Sequence, residues 1–173
     1  MKRSDIKQLP EIFERYVNLV DDIELSEAFE KSLKQIDELD IAKLNRIGRR
    51  VYADGKWSVN KIIQHFTDWE RIWCYRAILF ARREGSVPEA HDEEIMAANS
   101  NADELPLEQI IAELRAVRLA TKALFDGFNR QILETTCKFQ TQEMSILAMG
   151  FVIISHQIHH LGIIEERYFP LDK

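Results

Sequence analysis

Turn-forming residues are scarce in this sequence, with 6 Gly and 4 Pro among 173 residues. A sandwich of many short strands needs more of them, so helices are favoured. Cysteine is scarcer still, with two residues, Cys74 and Cys137. Two distant thiols, neither in a Cys-x-x-Cys pair, do not make a disulfide framework. Positive charge is in deficit, with 23 Lys and Arg against 29 Asp and Glu, a net charge of −6. Binding phosphates needs a basic face, so nucleic acid and lipid surfaces are disfavoured as partners. Arg46, Arg49 and Arg50 form one compact basic cluster, and it reads as a helix C-terminus, where cations suit the dipole. Long apolar runs are missing too. The longest, Ile146 to Ile154, is too short to span a bilayer. The opening Met1-Lys2-Arg3-Ser4-Asp5 leads into charged sequence with no apolar signal core. A cytoplasmic location is the expectation.

What is present suits a globular protein, with 46% apolar and 30% charged residues. The length predicts a single domain over residues 1–173. Four stripes of helical period stand out. The first runs from about Leu25 to Ile47 through Phe29, Leu33, Ile36, Leu39 and Leu44. The second follows an Asp54-Gly55 turn and a Ser58 N-cap, with Trp57 and Ile62 placed as a hydrophobic staple. It continues through Ile63, Phe66, Trp69, Trp73 and Phe80 and stops near Gly85. The third begins at Pro106 and ends near Asn129. The fourth, Ser145 to about Tyr168, is apolar on nearly every side and so belongs in the middle of a bundle. A short extra helix is expected over Leu9 to Val20. Residues Ser86 to Leu105 read as irregular, and Arg130 to Glu143 as a loop with short extended pieces. The fold class is all-α, a four-helix bundle with a short extra N-terminal helix.

Histidines carry the chemistry. His156 and His160 are four apart on the fourth helix, on one face and within reach of a common ion. Met149, Ile153 and Ile163 share that face, which points it inward. Imidazole suits zinc, nickel, copper and iron. Taken alone, the pair is as consistent with one core and one edge histidine. His65 lies at the edge of the second stripe, near Trp69, Ile72 and Arg76; alone it reads as structural, and its weight as a ligand comes from the pair. Three imidazoles from two helices, with open positions for water or substrate, make the usual reactive metal site. The metal ligands expected are therefore His65, His156 and His160. His159 falls off their face, and His91 is expected to be exposed. Glu70 falls in the middle of an apolar stripe, so it must be paired or stay protonated. Arg115 or Arg118 would satisfy it, and an acid–base role near the metal is the alternative. Arg167 shares the face of His156 and His160 and is placed either to anchor an anionic substrate or to pair with a carboxylate. Glu70 and Arg167 are the catalytic candidates.

Three stretches resemble the DinB-like (DinB/YfiT-like) superfamily, and within it the DinB-2 subgroup. They are Gly55-Lys56-Trp57-Ser58-Val59 with His65-Phe66-Thr67-Asp68-Trp69-Glu70; Glu108 to Leu124 with its Arg115 and Arg118; and the closing Ser155-His156-Gln157-Ile158-His159-His160-Leu161. The resemblance covers about Leu25 to Phe169. It implies an up-down-down-up four-helix bundle, often a homodimer. It also implies one divalent metal, commonly nickel or zinc, on His65, His156 and His160. Gln157 stands where the family commonly has Glu, and by helical geometry it points away from the ligands. Characterised members of the family are transferases or isomerases that use small thiols. The expected activity is thiol transfer to an electrophile, the metal lowering the thiol's pKa. A hydrolase using metal-activated water and a non-catalytic metal-binding stress protein are the alternatives. Metal binding is expected to weaken as pH falls through about 6.5, where free imidazole protonates.

Overall fold

Each predicted stripe becomes helix in the computed structural model, which describes residues 1–139 and 142–172. A short α1, Glu11–Val17, precedes the bundle. The first stripe is broken in two, α2 at Leu25–Asp37 and α3 at Ile41–Ile47. The expected continuous helix fails because the side chain of Asp40 caps a new start by accepting from Lys43 N, the competition that short acidic side chains offer the helical ladder. The second stripe is α4, Val59–Ala81, with Ser58 capping it by accepting from Lys61 N. Trp57 and Ile62 both pack in the core cluster at that end. The supposedly irregular stretch contains α5, Glu93–Ala98, capped by Asp92. The third stripe is α6, Leu107–Asp126. The ambiguous stretch holds α7, Arg130–Leu133, and an antiparallel hairpin of β1, Thr136–Phe139, and β2, Gln142–Ser145. Residues 140 and 141, between the strands, lie outside the described residues.

The fourth stripe is α8, Ile146–Ile163, begun by Ser145 accepting from Ala148 N and continued by a π-turn, Ile164–Tyr168. Every residue from Ile146 to Ser155 is buried. By length and composition alone the Ile146–Leu171 stretch passes for a membrane span, but 61% of its most apolar window is buried inside the protein. Its apolarity is that of a core helix.

Side-chain pairings give the helix directions. Leu25 packs near Gly150, and Ser32 meets Gln157, so α2 and α8 run the same way. Phe29 packs on Phe125, and Asp37 meets Arg115, so α2 and α6 are opposed. Gln64 meets Glu113, and Cys74 meets Thr121, so α4 and α6 are parallel. Trp57 meets Tyr168, and His65 meets His156, so α4 and α8 are opposed. The chain order is thus up, down, down, up. The arginine cluster sits at the end of α3, where Arg50 donates to the carbonyl of Ile47 at 2.9 Å and Arg46 pairs with Asp172 at 2.8 Å.

Candidate metal centre

The antiparallel pairing of α4 and α8 sets His65 opposite His156 and His160. The Nε2 atoms of His65 and His156 are 3.2 Å apart, and those of His156 and His160 are 2.9 Å apart. One nitrogen from each ring lies within 4.8 Å of the other two. Metal–imidazole bonds of about 2.0–2.1 Å in a tetrahedral arrangement hold their nitrogens about 3.3 Å apart. The geometry therefore fits a shared divalent ion.

Electrostatics fits as well. Burial pulls the His65 pKa down to about 4, and burial with neighbouring His65 and His159 pulls His160 down to about 3. His156 is held well below its ordinary value, first by burial and then by the adjacent imidazoles. All three rings are thus neutral at pH 7, the form that ligates. Aromatic packing fixes them. Trp57 lies 4.8 Å from the His65 ring, and Phe66 stacks on His160 at 6.0 Å and 19°. The Nδ1 of His160 is buried and has no hydrogen-bond partner among the described residues. Its ring is oriented by the stack on Phe66 and by the convergence of Nε2, where a carboxylate or carbonyl commonly does this work.

The site opens on a cavity of about 440 Å³. Phe13 and Tyr16 of α1, Trp57 before α4, and Trp69, Trp73 and Arg76 along α4 form much of its wall, with Ala90, His91 and Glu93 closing another side. His159 is half-buried in this wall, edge-on to Tyr16 at 4.8 Å, and stands apart from the converging nitrogens. His91 is exposed as expected, yet it also lines the cavity and meets the edge of Trp69 at 6.3 Å.

The other two candidates lie elsewhere. Glu70 accepts two bonds from Arg118, at 2.9 and 2.8 Å, in the buried interior and is not among the cavity's lining residues. Arg167 is over half exposed, pairs with Glu166 at 3.0 Å, and also lies outside the lining. Gln157 points away from the ligands, as expected, donating to the carbonyl of Ser32 and to Gln35 at 3.0 Å each. Sequence reasoning missed the aromatic wall. Its signal was present, because His65, Trp69, Trp73 and Arg76 recur at spacings of four, four and three along α4, which places them on one face.

Comparison with known proteins agrees with this architecture. No curated protein matches the sequence. YfiT from Bacillus subtilis, described as a probable metal-dependent hydrolase with an unusual four-helix bundle topology, is similar in structure. The TM-score is 0.66 at 17% sequence identity, over 92% of this chain and 88% of that one. The family model of the DinB superfamily matches residues 13–164, a span that takes in α4, α6, α8 and all three converging histidines, and the chain belongs to that superfamily.

Proposed function

We propose that this protein is a metal-dependent enzyme in which His65, His156 and His160 hold one divalent ion, zinc or nickel, and that it transfers a low-molecular-weight thiol to an electrophile. The observation that carries this is the convergence of three neutral imidazoles at the wall of an aromatic cavity. An all-imidazole donor set suits zinc or nickel. When bound, such an ion supplies Lewis-acid chemistry, lowering the pKa of a thiol or water at its open position. The protein's own residues do the rest. Trp57 and Trp69 flank His65 and hold its ring in place. The cavity has room for a small organic substrate.

Among the described lining residues the chain offers neither a thiol nor an unengaged serine hydroxyl. No cysteine is among them, and the hydroxyl of Ser155 donates to the carbonyl of Val152 at 3.0 Å. Burial also raises the pKa of Cys74 to about 11 and of Cys137 to about 12, so neither supplies a thiolate at neutral pH. The nucleophile enters as a substrate, and a small thiol meets that need.

Water meets it too. Hydrolysis is the second reading, favoured by the description of YfiT as a probable metal-dependent hydrolase. Metal analysis of protein purified without chelators or a nickel column comes first. A panel of small thiols with electrophiles is then run beside a panel of esters and amides. Metal-dependent loss of thiol supports transfer, and metal-dependent loss of ester or amide supports hydrolysis. If both panels stay inert while metal removal lowers stability, the protein is a metal-binding protein without catalysis. The reading includes a two-fold dimer, the commonest closed oligomer. Exposed Tyr75 and Ile78 on α4 and Leu119 on α6 offer apolar surface for it, and sedimentation measures the mass.

A further inference from the structure

Arg76 is 4% exposed, yet it lines the same cavity as the three histidines. Its guanidinium carbon lies 4.8 Å from the ring centre of Trp73 and 5.6 Å from that of Trp69. Its Nη2 donates to the carbonyl of Glu89 at 3.2 Å. The two indoles and that carbonyl fix the plane of the group. Arg76 is the one lysine or arginine among the described residues that line the cavity. Glu93 is the one carboxylate among them, and it is exposed, so water screens its charge.

We infer that Arg76 is a specificity-determining residue which binds the carboxylate or other planar anionic group of the substrate, making this cavity selective for small aromatic or apolar anions. The inference rests on the cavity being the substrate site proposed above. A guanidinium offers paired donors in a rigid fork that matches a carboxylate. In a wall of indole rings the local dielectric is low, and a charge-assisted bond is stronger there than in water. The aromatic wall takes the apolar body of the same molecule. Arg167, the cation that helical spacing brought to the histidine face, is exposed and paired with Glu166 outside this wall.

The chain's three tryptophans, Trp57, Trp69 and Trp73, all line the cavity, so intrinsic fluorescence reads its occupancy. Phenylacetate and its neutral isostere phenylacetamide are titrated at pH 8, where imidazole carries no charge. Both are titrated into metal-free and metal-loaded protein, because a bound cation would itself attract anions. The expected result is that metal-free protein binds phenylacetate about tenfold or more tighter than the amide, in line with one charge-assisted pairing. Arg76→Gln should bring the two within about twofold while the far-ultraviolet circular dichroism stays unchanged. Should that variant fail to fold, Arg76→Lys decides. A preference weakened severalfold supports the inference, because an ammonium lacks the fork, and an unchanged preference overturns it. No preference in the metal-free wild type, or one that survives Arg76→Gln, also overturns it. A preference seen only with metal bound removes Arg76 from recognition and leaves the metal reading standing. An anion preference in a protein that takes up no metal supports Arg76 and removes the metal reading.

Discussion

Glu70 and Arg118 face each other inside the bundle as a two-bond ion pair, each side chain 1% exposed. Arg118 also donates to Ser32 Oγ at 2.6 Å, so one guanidinium ties α2, α4 and α6 together. The pair belongs to the frame of the bundle. Removing one partner leaves a buried charge uncompensated, at a cost of about 3–5 kcal/mol. Glu70→Ala and Arg118→Met should each lose stability on that scale in urea denaturation. Replacing both with apolar residues should recover much of the loss. A Glu70→Ala protein with a wild-type midpoint and no activity would return Glu70 to the chemistry.

Gly150 marks a close helix packing. A Cβ there would stand 3.0 Å from both Leu25 Cδ atoms and 3.1 Å from Phe125 Cε1. Both neighbours are themselves buried, so neither has open space to move into. Gly150→Ala should destabilise by about 1–3 kcal/mol, the usual cost of overpacking, despite the better helix propensity of alanine. A thermal midpoint at or above wild type would show that the core yields there.

The four helices were legible because their apolar stripes are long and regular. The break between α2 and α3 was not, since Ile36, Leu39 and Leu44 carry the period straight across it. Asp40 carries a capping residue type at that point, but the stripe reads through it without a gap. The pairing of His156 with His160 was legible from helical spacing along α8, whereas His65 joins them only because α4 packs against α8, which the family resemblance implied and spacing did not. The cavity was hidden for a similar reason. Its wall draws on α1, α4, α8 and the stretch holding Ala90 and His91, and their meeting is a tertiary fact that no local pattern encodes. Trp69 and Trp73 looked like ordinary core residues on the stripe, and half of their role is just that.

The three-histidine assignment separates sharply by mutation. His65→Ala, His156→Ala and His160→Ala should each lower divalent-metal affinity by at least about tenfold, since each removes one of three nitrogens. His159→Ala should retain the ion, because its ring meets Tyr16 and not the shared point. His91→Ala should retain it too. Calorimetric titration with zinc and with nickel measures all five. Full affinity in any one of the first three variants would remove that residue from the site.

Protonation gives the last test, and burial moves its window. In an unfolded chain these imidazoles take up protons near pH 6.5. In the folded protein His65 does so near 4 and His160 near 3, with His156 also held far down. Below pH 6.5 the unfolded state therefore binds more protons than the native state. The stability that the neutral rings contribute is fully present above 6.5 and is lost as pH falls toward 4. The loss is roughly 1.4 kcal/mol per pH unit for each imidazole. The urea midpoint of metal-free protein should fall steadily over that range. Proton competition for the metal follows the folded values instead, so the window near 6.5 expected from free imidazole moves down to about pH 4. Metal content after stepped dialysis should hold level from pH 7.5 to about 5 and drop below that. Metal loss centred near 6.5 in protein that is still folded would mean that water reaches these rings freely, and the dry three-histidine site would fall with it.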